Sequence, residues 1–170
     1  MTELPVIPSF GKGDLVAEFW ASGRPVSQGS KTMYTRNGKS WFAESNAAFL
    51  NKWRSWVTAC TRRSWEGILK CAKREIHAVL SERESNGQRT GYWLEVDFVF
   101  HTPKSKPKWW PLYLSDPDGD KLFRAIGDAV TKSEAWVDDN RCCVGRFTKS
   151  YGKEEGALVR LWEVTCDATD

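Results

Sequence analysis

Residues 115–140 read SDPDGDKLFRAIGDAVTKSEAWVDDN, and this stretch joins two acidic groups through a helical pattern. Its first aspartates occupy every second position, as Asp116, Asp118 and Asp120, and it closes on the pair Asp138 and Asp139. Only a short turn separates that pair from the end of the helical pattern, so the chain can fold it back toward the first group. Carboxylate oxygens from the two groups would then form a cage suited to a hard cation.

The helical pattern runs from Asp120 to Thr131 and predicts an amphipathic helix. Asp120, Arg124, Asp128 and Thr131 share a polar arc of about 80°. The opposite side is apolar at the helical period and comprises Leu122, Ala125, Ile126, Ala129 and Val130. The helix is therefore predicted to present a carboxylate at its start and a guanidinium one turn further on, both facing away from the core.

The composition is that of an ordinary globular protein. Of 170 residues, 28% are charged and 41% hydrophobic, which argues against disorder and fits one domain with a proper core. No apolar run approaches the roughly 20 residues of a membrane span and no signal sequence is visible, so we expect a cytoplasmic protein with no membrane partner. Five cysteines without CxxC pairs indicate neither a disulfide framework nor a zinc site. The net charge of +3 weakly favours a polyanionic partner.

The order of elements predicts an α/β or α+β fold, a single domain with a mixed β-sheet flanked by helices. Residues 1–13 are predicted to be a flexible N-terminal arm and residues 14–166 the domain. Within the domain, Asn37-Gly38 marks a hairpin turn. The other predicted elements are strands at 14–21, 92–100, 141–149 and 156–164, and helices at about 45–61 and 64–83.

The two helices that precede the strand at 92–100 are predicted from their caps and apolar faces. Ser45 and Ser64 are the expected N-caps. The buried face of the first helix is predicted to contain Phe49, Trp53, Trp56, Val57 and Cys60.

Two basic segments are candidates for phosphate contact. The segment GRPVSQGSK, at 23–31, carries Arg24 and Lys31 on a glycine- and proline-rich loop. In KSKPKWW, at 104–110, three lysines alternate along an extended backbone, where side chains two apart point the same way; they are Lys104, Lys106 and Lys108. A solvated surface remains the alternative for both segments.

Three interpretations compete for the first acidic group. A calcium loop that starts at Asp116 needs glycine at its sixth position and glutamate at its twelfth, and the chain has Lys121 and Gly127 there. That interpretation fails. Helix capping by Asp118 or Asp120 uses one side chain and leaves the other acids unexplained. A magnesium site for phosphodiester hydrolysis uses several carboxylates, with Arg124 as an electrostatic stabiliser of the transition state. The last two interpretations both stay open.

The acidic stretch also resembles a known family. Residues 118–129, DGDKLFRAIGDA, with Asp139 eleven residues after Asp128, resemble the RusA-type Holliday-junction resolvases, whose pattern is roughly D-x-D-N-L-x-K-x-x-x-D-A-L and then D-D before a strand. Two positions depart from this pattern, because Lys121 replaces an asparagine and Arg124 a lysine.

Other parts of the chain fit the same family's layout. They are the segment at 23–31, the helix that contains Trp53 and Arg54, and the C-terminal strand pair with Lys149. The resemblance therefore extends over about 15–164, most of the chain.

The resemblance implies a homodimeric nuclease of bacteria or phages that cuts four-way DNA junctions by paired symmetric nicks. Its cofactor would be Mg²⁺, with Mn²⁺ as a substitute and no organic cofactor. Asp118, Asp120 and Asp139 would be metal-binding catalytic carboxylates, and Arg124 a further catalytic residue. The DNA-binding candidates are Arg24, Lys31, Lys104, Lys106, Lys108 and Lys149, and further acidic candidates are Asp116, Asp128 and Asp138.

Two alternatives to junction resolution remain open. The first is a non-catalytic junction- or DNA-binding protein whose acidic cluster is structural. The second is a nuclease for other branched DNA.

Overall fold

The elements of the fold lie within the residues that the computed structural model describes, which are 9–29, 31–44, 46–69, 90–104, 111 and 117–166. No helix among them is both long and apolar enough to cross a membrane. In chain order the elements are β1 (Phe10–Ser22), β2 (Lys31–Arg36), β3 (Lys39–Glu44), α1 (Ala47–Leu69), β4 (Tyr92–His101), α2 (Gly119–Ser133), a 3₁₀ turn (Asp139–Arg141), β5 (Cys142–Gly152) and β6 (Gly156–Cys166).

Four of the strands form one mixed sheet in the order β1-β6-β4-β5. Strand β6 is antiparallel to both β1 and β4, whereas β4 and β5 are parallel. Strands β5 and β6 are consecutive in the chain, yet β4 lies between them. With α1 and α2 packed on this sheet, the protein is a single α+β domain, which confirms the predicted mixed sheet with flanking helices.

The core lies between the sheet and the two helices. The strand predicted at 92–100 is confirmed as β4, and its side chains alternate: Tyr92, Leu94, Val96, Phe98 and Phe100 are all buried and the intervening residues are not. The predicted apolar face of α2 is also confirmed, because its five members are buried. Each large side chain buried in this way contributes about 1.5–3 kcal/mol to stability.

The first helix is longer than predicted, because α1 continues through Ser64 to Leu69. Ser64 is not a cap: its hydroxyl donates to the carbonyl of Glu18 and accepts from the amide of Glu18, both at 2.8 Å. These bonds tie α1 to β1, and the next residue, Trp65, is buried. The rest of the predicted second helix, from residue 70 onward, lies outside the described residues.

The buried face of α1 also differs from the prediction. Trp53 and Val57 are buried as expected, but Phe49 and Trp56 are exposed and Cys60 is only half-buried. Thr58 is buried instead, and its hydroxyl donates a hydrogen bond to the carbonyl of Ala129 in α2 at 3.1 Å. The helix therefore faces both the sheet and α2, and its aromatic stripe is only partly covered.

The prediction of a flexible arm over residues 1–13 is wrong for residues 10–13. Strand β1 begins at Phe10 and pairs there with the end of β6, so residues 10–13 belong to the sheet and not to an arm. Gly11 allows this pairing, since a Cβ there would lie 2.6 Å from the hydroxyl oxygen of Thr165. Residues 1–8 lie outside the described residues.

The predicted hairpin is confirmed as β2 and β3. Asn37 and Gly38 form its turn with φ angles of 52° and 71°, the left-handed values that a two-residue hairpin turn requires.

Candidate active site

A cavity of about 340 Å³ lies between α2 and β5 and brings three predicted catalytic residues together. Asp120 and Arg124 reach it from successive turns of α2, and Asp139 reaches it from the 3₁₀ turn before β5. The wall beside them includes Phe123 and Phe147, whose rings lie 5.9 Å apart. All three polar residues are exposed, so a phosphate group can approach them from solvent.

The turn after α2 directs the acidic pair back toward this cavity. Glu134 ends the helix in the left-handed conformation, with φ of 70°, and its amide donates to the carbonyl of Thr131. Trp136 is buried, its indole N–H donates to the hydroxyl of Thr131 at 2.6 Å, and its ring packs edge-on against Tyr92. Sequence reasoning missed Trp136, although a tryptophan placed between a helix and an acidic pair was a signal for such an anchor.

Asp138 and Asp139, the acidic pair after α2, have different roles. The carboxylate of Asp138 accepts a hydrogen bond from the amide of Asn140 at 3.0 Å and so caps the 3₁₀ turn. Asp139 is the first residue of that turn and lines the cavity. Asp138 therefore fixes the conformation that presents Asp139.

Asp118 stands at the N-cap position of α2 but does not cap it. Its backbone is extended and its carbonyl accepts from the amide of Leu122, while its side chain makes no capping bond. The carboxylate instead forms an ion pair with Lys121 at 2.7 Å. The hydrogen bond and charge of Lys121, together with the charge of Lys149, hold the pKa of Asp118 below its ordinary value. The capping interpretation therefore fails for Asp118.

The metal-binding potential of the site rests on two carboxylates. Within the described ranges, no group of three or more His, Cys, Asp or Glu side chains could hold a metal ion. The acids among the described residues of the cavity wall are Asp120 and Asp139. Mg²⁺ is commonly held by one or two carboxylates together with waters and substrate phosphates, so this pair fits Mg²⁺ when a phosphate is present. Asp118 is paired with Lys121 outside the cavity wall, and Asp116 lies outside the described residues.

Asp128 holds three segments together. It accepts a hydrogen bond from the side-chain amide of Gln28 at 2.7 Å, and it forms an ion pair with Arg54 of α1. The backbone N–H of Gln28 also donates a hydrogen bond to the backbone carbonyl of Lys121 at 3.3 Å. Asp128 therefore fixes the loop after β1 against both helices, and its contacts in the described part are structural.

The predicted DNA-binding residues fall into three groups. Lys149 donates to the carbonyl of Pro117 at 3.0 Å, directly before Asp118. Arg24 is exposed at a second cavity that Pro117 also lines, and Lys104 is exposed in the turn after β4. Lys31 begins β2, whereas Lys106 and Lys108 lie outside the described residues.

Comparison with known proteins gives no assignment. No family model matches the chain, and a search of curated proteins finds no match. The resemblance of residues 118–139 to RusA-type resolvases therefore stays a prediction from the sequence motif.

Proposed function

We propose that the protein is a Mg²⁺-dependent endonuclease that resolves four-way DNA junctions by paired symmetric nicks. The observation that carries this proposal is the meeting of Asp120, Arg124 and Asp139 at one exposed cavity. The motif at residues 118–139 supports the same activity through its resemblance to RusA-type resolvases.

Each of the three charged residues of the cavity would have a role in this chemistry. Bound Mg²⁺, or Mn²⁺ in its place, would polarise the scissile phosphate and lower the pKa of a coordinated water. Asp120 and Asp139 would hold the ion. Arg124 has no ion-pair partner in the described part of the chain, so its guanidinium is free to stabilise the charge that develops on the phosphate. Its proposed role is electrostatic and not that of a proton donor.

Asp118 is the proposed third carboxylate. Its ion pair with Lys121 is exposed, and exposed pairs are easily exchanged because water solvates both partners when they separate. Phosphate contacts along the substrate would come from the predicted DNA-binding residues, which are Arg24, Lys31, Lys104, Lys106, Lys108 and Lys149.

The proposed reaction requires a homodimer. Two nicks of matching polarity in one junction need two active sites related by a two-fold axis, and an isologous dimer provides them. Branched DNA is then the macromolecular partner, in the cytoplasm of a bacterium or of a phage-infected host.

A second candidate function is a junction- or DNA-binding protein without catalysis. It is favoured by the pairing of Asp118 with Lys121, which occupies one predicted metal ligand, and by the finding that no group of three acidic, histidine or cysteine ligands forms among the described residues. The basic residues would then supply affinity without cleavage.

The test is cleavage of an end-labelled synthetic four-way junction with Mg²⁺ and, in parallel, with EDTA. Wild-type protein should give paired nicks only with the metal. Asp120→Asn and Asp139→Asn should abolish cleavage and leave junction binding intact. Asp138→Asn is the matched control, because asparagine also caps a helix, and it should still cut.

Each alternative gives a different result in this assay. Wild-type protein that binds the junction but never cuts it would support the non-catalytic function. Full cleavage by the Asp120 and Asp139 variants would remove both carboxylates from the mechanism. Preferential cutting of flaps or three-way branches, run beside linear duplex, would favour a nuclease for other branched DNA.

A further inference from the structure

A second cavity, of about 660 Å³, lies between the loop after β1 and the N-terminal half of α1. Three aromatic residues of one helix line it: Phe49, Trp53 and Trp56. Phe49 is 73% exposed and Trp56 is 41% exposed. Trp56 also borders a neighbouring hollow of about 460 Å³, so its ring stands between two open spaces. Clustered exposed aromatic surface of this kind is typical of a binding site.

Two side chains that line this cavity each carry a buried polar atom without a hydrogen-bond partner among the described residues. The indole N–H of Trp53, a residue only 5% exposed, has no hydrogen-bond acceptor among the described residues, and the side-chain oxygen of Asn46 has no donor there. The amide nitrogen of Asn46 is used, since it donates to the carbonyl of Ser27 at 2.9 Å. Buried polar groups are nearly always hydrogen-bonded. A free donor and a free acceptor therefore point to a ligand that offers both.

The charge of the cavity is one-sided. Arg24 and Lys52 line it, and no acid is present among the described lining residues. Neither cation has an ion-pair partner in the part of the chain that the structure describes. The volume of the cavity lies within the usual range for ligand pockets, roughly 300–1,000 Å³. Flat rings, a donor, an acceptor and two cations match the base and phosphates of a nucleotide.

The cavity lies beside the start of α2. Pro117 belongs to its wall, and the following residue is Asp118. The carbonyl of Pro117 also accepts a hydrogen bond from the ammonium group of Lys149. A DNA strand at the Asp120 and Asp139 carboxylates would therefore pass next to this cavity.

We propose that the cavity binds one unpaired base of a DNA strand. The base stacks on Trp56 and Phe49, as bases do on aromatic platforms. Its edge accepts from the indole N–H of Trp53 and donates to the oxygen of Asn46. Arg24 and Lys52 contact the adjacent phosphates. This inference rests on the proposed function for the identity of the polymer, because a branch point is where a base can leave its pair at low cost.

The test is fluorescence anisotropy in EDTA with a short labelled single strand and with a duplex of the same sequence. Trp56→Ala and Phe49→Ala should weaken single-strand binding about tenfold each and leave duplex binding unchanged. Trp56→Phe should restore most of the affinity. Ile68→Ala is the matched control, since Ile68 is an exposed residue of the same helix outside the cavity wall. Thermal unfolding by circular dichroism verifies that every variant is folded.

Three results would overturn the inference: no single-strand binding by wild-type protein, unchanged single-strand affinity in both alanine variants, or equal losses on single strand and duplex. The assay is separate from cleavage because EDTA removes the metal. Aromatic-dependent single-strand binding without junction cleavage would reject the endonuclease and keep the cavity. Junction cleavage together with single-strand binding that does not depend on Trp56 and Phe49 would keep the endonuclease and reject the base-binding cavity.

Discussion

Removing the carboxylate of Asp128 should lower the free energy of unfolding by about 2 kcal/mol. The carboxylate accepts from Gln28 and pairs with Arg54, and the two charged side chains are only 35% and 21% exposed respectively. Hydrogen bonds to charged groups contribute about 1.5–3 kcal/mol, and partial exposure keeps the sum near the lower end of that range. Asp128→Ala also leaves a half-buried guanidinium whose Nε atom already lacks a partner among the described residues.

Urea unfolding followed by far-UV circular dichroism measures this loss, and the midpoint of thermal unfolding should fall by about 4–8 °C. A double-mutant cycle with Arg54→Met isolates the pair and should give a coupling energy of about 1 kcal/mol. Asp14→Ala, at an exposed position of β1, is the control and should change stability by less than about 0.5 kcal/mol. Additive effects of the Asp128 and Arg54 substitutions would refute the reasoning, because they would mean that the ion pair contributes nothing to the fold.

Two further predictions concern the start of α2 and the sheet. Because Lys121 lowers the pKa of Asp118, the stability from this pair is present above the ordinary carboxyl pKa and is lost as pH falls through the lowered pKa. In metal-free buffer, Lys121→Gln should therefore raise the pKa of Asp118 in a carboxyl NMR titration, and an unchanged pKa would disprove the pairing. Gly156→Ala should destabilise the protein by about 1–3 kcal/mol, since a Cβ there would lie 2.7 Å from the backbone oxygen of Ala21. Gly67→Ala, in an open helical position, should be neutral or stabilising, and equal urea midpoints for the two variants would contradict the packing argument.

Elements whose signal is local were predictable from the sequence. The period of α2 and the alternation of β4 follow from helix and strand geometry alone, and the buried faces agree with both. The Asn37-Gly38 turn is likewise set by two residues that accept positive φ. In each case neighbouring residues determine the conformation.

The burial of α1 depended on tertiary contacts that periodicity does not contain. The helical period predicts that the aromatic residues of α1 share one side of the helix. It does not predict how much of that side the neighbouring elements cover. Here the sheet and α2 cover Trp53 and Val57 and leave Phe49 and Trp56 exposed. Ser64 looked like a cap because serine favours that position, whereas the backbone of β1 supplied its partner instead.

The acidic residues show the same limit at the candidate site. The sequence predicted that the two acidic groups approach each other, and Asp120 and Asp139 do line one cavity. Only the motif resemblance separated Asp139 from Asp138 in the sequence. The capping role of Asp138 could not be predicted, because it depends on the geometry of the 3₁₀ turn. Nor could the sequence show that Asp118 pairs with Lys121, since that contact depends on rotamers at the helix start.

Lys121 links that pairing to the proposed metal chemistry. In the RusA-type pattern this position is a neutral asparagine, whereas here the ammonium group of Lys121 pairs with the carboxylate of Asp118. A divalent ion held by Asp120 and Asp139 would attract the same carboxylate with twice the charge of Lys121, and the two cations would compete for it. A lysine released from Asp118 would stand in the first turn of α2, where backbone N–H groups and the helix dipole also favour an anion. On the proposed function, Lys121 would therefore lower the negative charge at the start of α2 through its pair with Asp118, and it would contact a phosphate once metal and DNA are bound.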